Sequence, residues 1–215
     1  MASKRLIALL VLAPYTLVAQ TTARSHTTDS TAKPTATPRA QLTRTQYWTR
    51  MALGFTTSIL AHEAGHVIAS YAVGAHPTFG FDKGRPTVYS GINAETDPHK
   101  QFIFSSAGLN VQAIMDETIL DVPHSRGAAF ERGILAGGIA TAYFYATIGR
   151  NASNSDITYM ARTSSLSKTQ ASLIYAGLAT IHVIRMTRDH HYADFFIRPR
   201  LSTPGTLVGV DIAPH

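Results

Sequence analysis

The chain has 215 residues, a length that suits one domain with some excess, and it combines 45% hydrophobic residues with only 15% charged residues. Its formal net charge is +6, but Lys and Arg are scattered and form no basic stripe with aromatic residues, which argues against a nucleic-acid partner. The chain contains no cysteine, which excludes disulfides and thiolate metal ligands. The apolar composition favours a protein that contacts membrane lipid.

The first part of the chain has the pattern of an exported protein. In residues 1–20, Lys4 and Arg5 precede an apolar run, which predicts a secretory signal peptide or a retained N-terminal anchor. Residues 21–45 consist mainly of Thr, Ser, Ala, Pro and isolated basic residues, and we predict a disordered linker there. We therefore expect the protein in a membrane after export, or alternatively in the periplasm or secreted.

The next segment, residues 46–73, is predicted to be a long apolar helix that carries the pentad His-Glu-Ala-Gly-His at positions 62–66. Residues four apart lie on one face of a helix, so His62 and His66 can bind one zinc ion while Glu63 serves a metal-bound water. Composition alone would produce a His-Glu-x-x-His motif roughly once in a hundred such chains. The plainer alternative, two ordinary histidines and a surface glutamate, is costly in an apolar helix unless something binds them.

The rest of the domain reads as further apolar helices. We predict one all-α domain over residues 46–198, a membrane-embedded bundle of about four to five helices with the pentad on the first long helix. A Gly- and Pro-rich connection after that helix should form a loop or short hairpin. Further helices are expected at residues 98–120, 133–149, 157–164 and 170–186. The uncharged segment 133–149 suits a membrane helix of minimal length, and residues 199–215 suit an extended tail.

A catalytic zinc ion normally has a third protein ligand besides two histidines. A third histidine six residues after His66 is absent, because that position is Ala72. Asp156 is one candidate, because a carboxylate at the start of a helix is kept ionised by the helix N-terminus, as a ligand must be. The competing interpretation is that Asn154, Ser155 or Asp156 only caps a helix over residues 157–164.

Other titratable residues offer alternatives for the third ligand. Asp116 and Glu117 lie in an otherwise apolar segment, where an unpaired carboxylate is expensive. They are also explained by ion pairs with Arg126 or Arg132, or by a solvated helix face. The adjacent histidines at positions 190–191 point to different sides of the chain and are better explained as surface residues.

The residues around the pentad resemble a known class of proteases. Residues 60–68, Leu-Ala-His-Glu-Ala-Gly-His-Val-Ile, resemble the site-2 protease class of intramembrane zinc metalloproteases, in which a later helix contributes an Asp ligand. Residues 106–110, Ser-Ala-Gly-Leu-Asn, are similar to the Gly-Pro-x-x-Asn element of that class, with Leu109 in place of Pro. The segment ending in Leu-Asp-Gly that the class usually carries is missing.

The pentad also resembles the peptidase domain of membrane-anchored AAA proteases. In that family an Ala-Ser-Asn-Asp-hydrophobic element follows the pentad, and its Asp binds zinc. Residues 152–157, Ala-Ser-Asn-Ser-Asp-Ile, look like this element with one residue inserted. The sequence contains no phosphate-binding loop, so the resemblance does not extend to an ATP-driven unfoldase. Both resemblances imply Asp156 as the third ligand.

Together these observations predict a zinc-dependent metalloendopeptidase that cleaves a protein or peptide in or at the membrane. The predicted Zn²⁺ ligands are His62, His66 and Asp156, and the predicted general base is Glu63. Three polar side chains are expected to position the substrate carbonyl: Asn110, Asn154 and Ser155. Two alternatives remain open, an exported soluble helical zinc peptidase and a non-catalytic metal-binding membrane protein.

Overall fold

The computed structural model describes residues 42–82 and 85–193, which form five α-helices and one hairpin. The elements in chain order are α1 (Arg44–Ala72), β1 (Thr78–Asp82), β2 (Arg85–Tyr89), α2 (Pro98–Asp121), α3 (Ala129–Ala146), a 3-10 helix (Ile148–Asn151), α4 (Asp156–Thr163) and α5 (Lys168–Arg188). The prediction of a mostly helical domain with the pentad on its first long helix is confirmed. The predicted signal segment, most of the linker and the C-terminal tail lie outside the described residues.

Local signals at both ends of α1 define its length. Thr43 is the N-cap, and its hydroxyl accepts a hydrogen bond from the Gln46 backbone (3.2 Å) while the Gln46 side chain accepts one from the Thr43 backbone (3.0 Å). This capping box satisfies two backbone donors and starts the helix at Arg44, two residues earlier than predicted. Gly74 follows the helix with φ of 75°, a conformation that favours glycine and ends the helix.

The third long helix also begins earlier than its hydropathy suggested. The Glu131 carboxylate accepts hydrogen bonds from the backbone N–H groups of Gly127 (2.9 Å) and Ala128 (3.2 Å), which start α3 at Ala129 instead of residue 133. The charged first turn is therefore part of the helix because its carboxylate satisfies backbone donors that the helix leaves free.

Helix α1 lies against both α2 and α3 at very short backbone distances. A Cβ atom at Gly54 would lie 1.9 Å from the Phe130 carbonyl oxygen, and one at Gly133 would lie 2.0 Å from the Met51 carbonyl oxygen. The crossing of α1 and α3 therefore requires glycine at both positions. This close packing turns the histidines of the pentad toward the interior of the bundle.

The main apolar core lies on the other side of α2. It joins residues of α2, α3, α4 and α5, namely Leu109, Ala142, Ile157, Met160, Ala171, Tyr175 and Ala179. Helix α4 has only eight residues, and its Ile157 and Met160 are almost completely buried in this cluster. Since so short a helix is not stable alone, the position of α4 is set by this packing.

The exterior of the bundle is unusually apolar and its interior unusually polar. Large side chains that are at least half exposed occur on α1, α2 and α5: Leu60, Ile68, Ile114, Leu173 and Ile181. Nearly completely buried polar residues include Ser58, Ser70, Ser105, Gln112 and Asp116. Apolar and polar side chains thus occur both inside and outside the bundle, unlike the segregated faces typical of amphipathic helices on a water-soluble core.

The expectation of membrane-spanning helices is not met in the described part of the chain. None of the helices over residues 42–82 and 85–193 is long and apolar enough to cross a membrane. The predicted span at residues 133–149 is corrected to a helix that ends at Ala146. Its uncharged part, residues 133–146, is shorter than the roughly 20 residues that a span requires.

The connection after α1 forms the hairpin that the Gly and Pro pattern allowed. Strands β1 and β2 pair antiparallel, with Phe79 opposite Val88. The segment that follows β2 is fastened to the helices, because the Ser70 hydroxyl donates to the Ser90 carbonyl (3.1 Å) and the Ser90 hydroxyl donates to the Gln101 side chain (2.8 Å). The hairpin is thereby held beside the pentad.

Candidate metal centre

The two histidines of the pentad meet inside the bundle. His62 and His66 are 2% and 4% exposed, and their Nε2 atoms lie 3.1 Å apart. The spacing of four residues on α1 places both rings over α2, as the pentad predicted. Such a close approach of two buried imidazoles needs a cation or a proton between the nitrogens.

Asp156 completes the group from α4. Its Oδ2 atom lies 3.2 Å from Nε2 of His62 and 3.4 Å from Nε2 of His66. The N-cap position of α4 is occupied by Ser155, whose side chain makes no capping hydrogen bond, so Asp156 is the first helical residue and points into the site. The structure therefore brings the three predicted ligands together, and the capping interpretation of Asp156 is not observed.

Hydrogen bonds on the far side of each ring fix which nitrogen faces the site. Nδ1 of His62 lies 3.0 Å from Oε1 of Gln112, and Nδ1 of His66 lies 2.8 Å from the carbonyl oxygen of Phe104. Both oxygens accept hydrogen bonds, so each Nδ1 carries the hydrogen and each Nε2 presents its lone pair.

Three lone-pair atoms thus converge on one point. Oδ2 of Asp156 has no hydrogen-bond partner of acceptable geometry, although the Nε2 atoms of His62 and His66 lie within 3.4 Å of it and 3.1 Å from each other. A tetrahedral zinc ion with bonds of 2.0–2.1 Å would separate its ligand atoms by about 3.3 Å. The observed separations of 3.1, 3.2 and 3.4 Å fit this arrangement.

Gly108 of α2 forms the floor of the site. A Cβ atom at this position would lie 2.6 Å from Nε2 of His62 and 2.6 Å from Nε2 of His66. Real Cβ contacts essentially never fall below 3.0 Å. The imidazoles can therefore meet only over a glycine, which gives the centre a cradle that any side chain would fill.

The electrostatics of the group keep the carboxylate ionised. Burial opposes the charged form of Asp156, but His66 and His62 outweigh burial and hold the pKa of Asp156 well below its usual range. Burial likewise favours neutral His66, but the charge of Asp156 outweighs it and raises the pKa of His66 to about 9. Without metal, the group of His62, His66 and Asp156 therefore holds a proton. A metal ion that binds must displace this proton, and the group that remains is negatively charged.

The centre opens on a cleft of about 830 Å³, a volume typical of ligand sites. Glu63, His62, His66 and Asp156 all line this cleft, and Glu63 is partly exposed. The ring of Tyr145 lies parallel to that of His62, with centroids 5.6 Å apart. The Glu63 carboxylate, which is not part of the His62, His66 and Asp156 group, therefore lines the cleft onto which the centre opens.

Only one of the three residues expected to position the substrate lines the cleft. Asn154 lines the cleft and is exposed, whereas Ser155 is 2% exposed. Asn110 is not brought to the cleft, because it lies on another face of α2 from Gly108, and its Oδ1 accepts a hydrogen bond from the Tyr175 hydroxyl (2.9 Å). Asn154 is therefore the predicted positioning residue with direct access to a substrate.

The alternative carboxylate ligands form a separate buried cluster. Oδ2 of Asp116 lies 3.3 Å from Nδ1 of His182, and Oε1 of Glu117 lies 3.0 Å from Nε2 of the same ring. Glu117 also pairs with Arg185. Asp116 and Glu117 pair with residues of α5 instead of the expected Arg126 or Arg132 because α5 packs against α2.

The described residues contain one other group with ligand atoms close together, formed by Asp189, His190 and His191. Both histidines are exposed, as the sequence indicated. Asp189 is already bound, since Arg126 donates to its Oδ2 (2.9 Å) and the His191 backbone donates to its Oδ1 (2.9 Å). The histidines of this group are exposed and both carboxylate oxygens of Asp189 already accept hydrogen bonds. The group of His62, His66 and Asp156, in contrast, is buried and leaves Oδ2 of Asp156 without a hydrogen bond.

Two residues of the centre were missed by sequence reasoning, Gln112 and Gly108. The only signal for Gln112 is a glutamine among apolar residues of a helix. Gly108 lies in the element at residues 106–110 that resembles Gly-Pro-x-x-Asn, but its role as the floor of the site depends on the crossing of α1 and α2, which the sequence does not show.

No protein-family model, curated protein or solved structure matches the chain.

Proposed function

We propose that the protein is a zinc metalloendopeptidase that works on a protein or peptide at a membrane surface. The observation that carries this proposal is the convergence of three buried lone-pair atoms, from His62, His66 and Asp156, over Gly108. Two imidazoles and one carboxylate are a ligand set typical of catalytic zinc, which keeps one position open for water. Glu63 stands at that open side.

Each residue has a role that its position supports. Zinc, when bound, would lower the pKa of a water molecule and polarise the scissile carbonyl. The Glu63 carboxylate accepts a proton from the attacking water and later delivers it to the leaving amine. The Asn154 amide can donate a hydrogen bond to the substrate carbonyl. Tyr145, stacked on His62, keeps that ring in place and covers it from solvent.

The walls of the cleft suit an extended, apolar peptide. One wall is formed by Thr87–Tyr89 of β2 and the segment that follows, whose backbone groups can pair with an extended chain. Phe55, Ile59 and Phe144 of the helices also line the cleft. These apolar side chains favour substrates with large apolar residues beside the cleaved bond.

The outer surface supports a location at membrane lipid. Phe79 and Phe81 of the hairpin are 74% and 76% exposed, and the helices add further exposed aliphatic residues. Aromatic side chains are enriched where a protein meets the membrane interface. We therefore place the exported protein against a membrane, with the cleft near the lipid surface. If the purified protein does not bind lipid vesicles, this result would instead indicate a periplasmic or secreted peptidase.

The decisive experiment separates metal binding from catalysis. Glu63→Gln should retain one zinc per chain, measured by mass spectrometry of the metal, while hydrolysis of a mixed peptide library falls by about 10²–10⁴-fold. The matched control is Glu95→Gln, which changes an exposed glutamate outside the cleft and should cleave as the wild type does.

The measured zinc content and peptide hydrolysis distinguish the candidate functions. Cleavage by Glu63→Gln at the wild-type rate refutes the assigned base. A wild-type protein that binds zinc tightly but cleaves no peptide with or without lipid supports a non-catalytic metal-binding protein.

A further inference from the structure

We infer that Gln112 is the positioning residue that holds His62 in its ligand form and ties the metal centre to three helices. This inference rests on the metal centre of the proposed function, but it does not depend on peptidase activity. Gln112 lies one turn after Gly108 on α2, is 2% exposed, and contacts His62 through its side chain.

The partners of Gln112 determine the orientation of its amide. Nε2 lies 3.2 Å from the carbonyl oxygen of Ser58 and 3.0 Å from the Ser58 hydroxyl. A carbonyl can only accept, so the end of the amide that faces Ser58 must be the N–H₂ group. The end that faces His62 is therefore the oxygen.

This orientation selects one tautomer of His62. Because Oε1 of Gln112 can only accept, the hydrogen of His62 lies on Nδ1 and its lone pair lies on Nε2, toward Asp156. His66 receives the same support from a backbone carbonyl, that of Phe104, which no substitution removes. A substitution of Gln112 therefore removes the hydrogen bond to Nδ1 of His62 and keeps the one between Nδ1 of His66 and the Phe104 carbonyl.

The same amide joins α1, α2 and α3. Besides Ser58 of α1, Nε2 donates to the hydroxyl of Thr141 on α3 (3.3 Å). The Thr141 hydroxyl donates in turn to the Gly137 carbonyl (2.8 Å), which leaves its oxygen free to accept. A residue at this position must both accept from His62 and donate to two helices, which glutamine does and which neither leucine nor glutamate does.

Two substitutions separate these tasks. Gln112→Leu removes the acceptor and the donors, so His62 can adopt the tautomer with a hydrogen on Nε2, pointed at the metal position. We expect metal affinity to fall about 10–100-fold, the range for loss of an outer partner of a metal-bound histidine. Gln112→Glu keeps an acceptor for Nδ1 but cannot donate to Ser58 or Thr141. We expect its metal affinity within about threefold of wild type and its midpoint of urea unfolding to be lower.

The matched control is Tyr192→Phe. Tyr192 is also almost completely buried, but its hydroxyl donates to Glu131 (3.0 Å), and it does not line the cleft. Cobalt(II) and zinc titrations, followed by visible absorption and competition with a chelator, should give this variant wild-type affinity. Circular dichroism establishes that each variant is folded.

The result that overturns the inference is a folded Gln112→Leu protein with wild-type affinity, or an equal loss in Tyr192→Phe. If the wild-type protein binds no metal, the proposed function fails, and the inference is then tested by ¹⁵N NMR of the His62 ring. The hydrogen should lie on Nδ1 in the wild type and move toward Nε2 in Gln112→Leu. The same tautomer in both proteins refutes the role of Gln112.

Discussion

The sharpest consequence of the geometry concerns Gly108, a residue that contributes no ligand atom. Gly108→Ala adds one methyl group 2.6 Å from the Nε2 atoms of both His62 and His66. The tightest real contacts of a Cβ atom are 3.0–3.4 Å, so both rings must retreat by 0.4–0.8 Å. A retreat of the rings also disturbs the hydrogen bonds that hold Nδ1 of His62 to Gln112 and Nδ1 of His66 to the Phe104 carbonyl.

The expected loss is much larger for metal binding than for folding. Metal–ligand distances tolerate about 0.2 Å, so a shift of this size disrupts two of three ligands. Loss of an outer partner alone costs about 10–100-fold in affinity, and direct displacement should cost more than about 100-fold. Overpacking costs about 1–3 kcal/mol, and the better helix propensity of alanine returns about 1 kcal/mol. The protein should stay folded with little or no bound zinc.

The assay is zinc titration by calorimetry beside thermal unfolding of the metal-free protein. Gly177→Ala on α5 is the matched control, because a Cβ atom there meets nothing within 4 Å. It should bind zinc normally and gain up to about 1 kcal/mol in stability. If Gly108→Ala binds zinc as tightly as the wild type, the three atoms identified here are not the metal centre.

Three further predictions concern other parts of the molecule. Asp156→Asn should remain folded and lose zinc affinity by at least about 100-fold in a chelator competition, since a neutral amide oxygen replaces the carboxylate. Burial raises the pKa of Asp116 to about 6, beside His182, so the folded protein holds a proton that the unfolded chain releases. Its contribution to the free energy of unfolding should decrease as the pH rises from about 4 to about 6, and Asp116→Asn should remove that decrease in urea titrations, whereas parallel curves refute the assignment. Replacing Phe79 and Phe81 together with Ser should weaken flotation with lipid vesicles at least several-fold without changing zinc content, and unchanged flotation argues against the hairpin as a lipid contact.

The parts of the centre that were predictable are those with local signals. The pentad carries its own helical period, and the polar sequence before Asp156 marks the start of a helix, so both ligand sources are visible without a structure. Gln112 and Gly108 are invisible by the same logic, because their roles arise from the crossing of α1 and α2. The start of α3 was misjudged because the hydropathy pattern excluded Glu131, whose carboxylate in fact binds the backbone N–H groups at the helix start.

The location of Asp156 makes the centre dependent on the apolar core. An eight-residue helix does not persist alone, and α4 is held by Ile157 and Met160, which are packed among residues of α2 and α5. The third ligand therefore reaches His62 and His66 only when that cluster has formed. Since a metal that binds only the folded state stabilises it by mass action, zinc and core packing should reinforce each other. A cavity made by Met160→Ala should accordingly weaken zinc binding, although Met160 contributes no ligand atom to the centre.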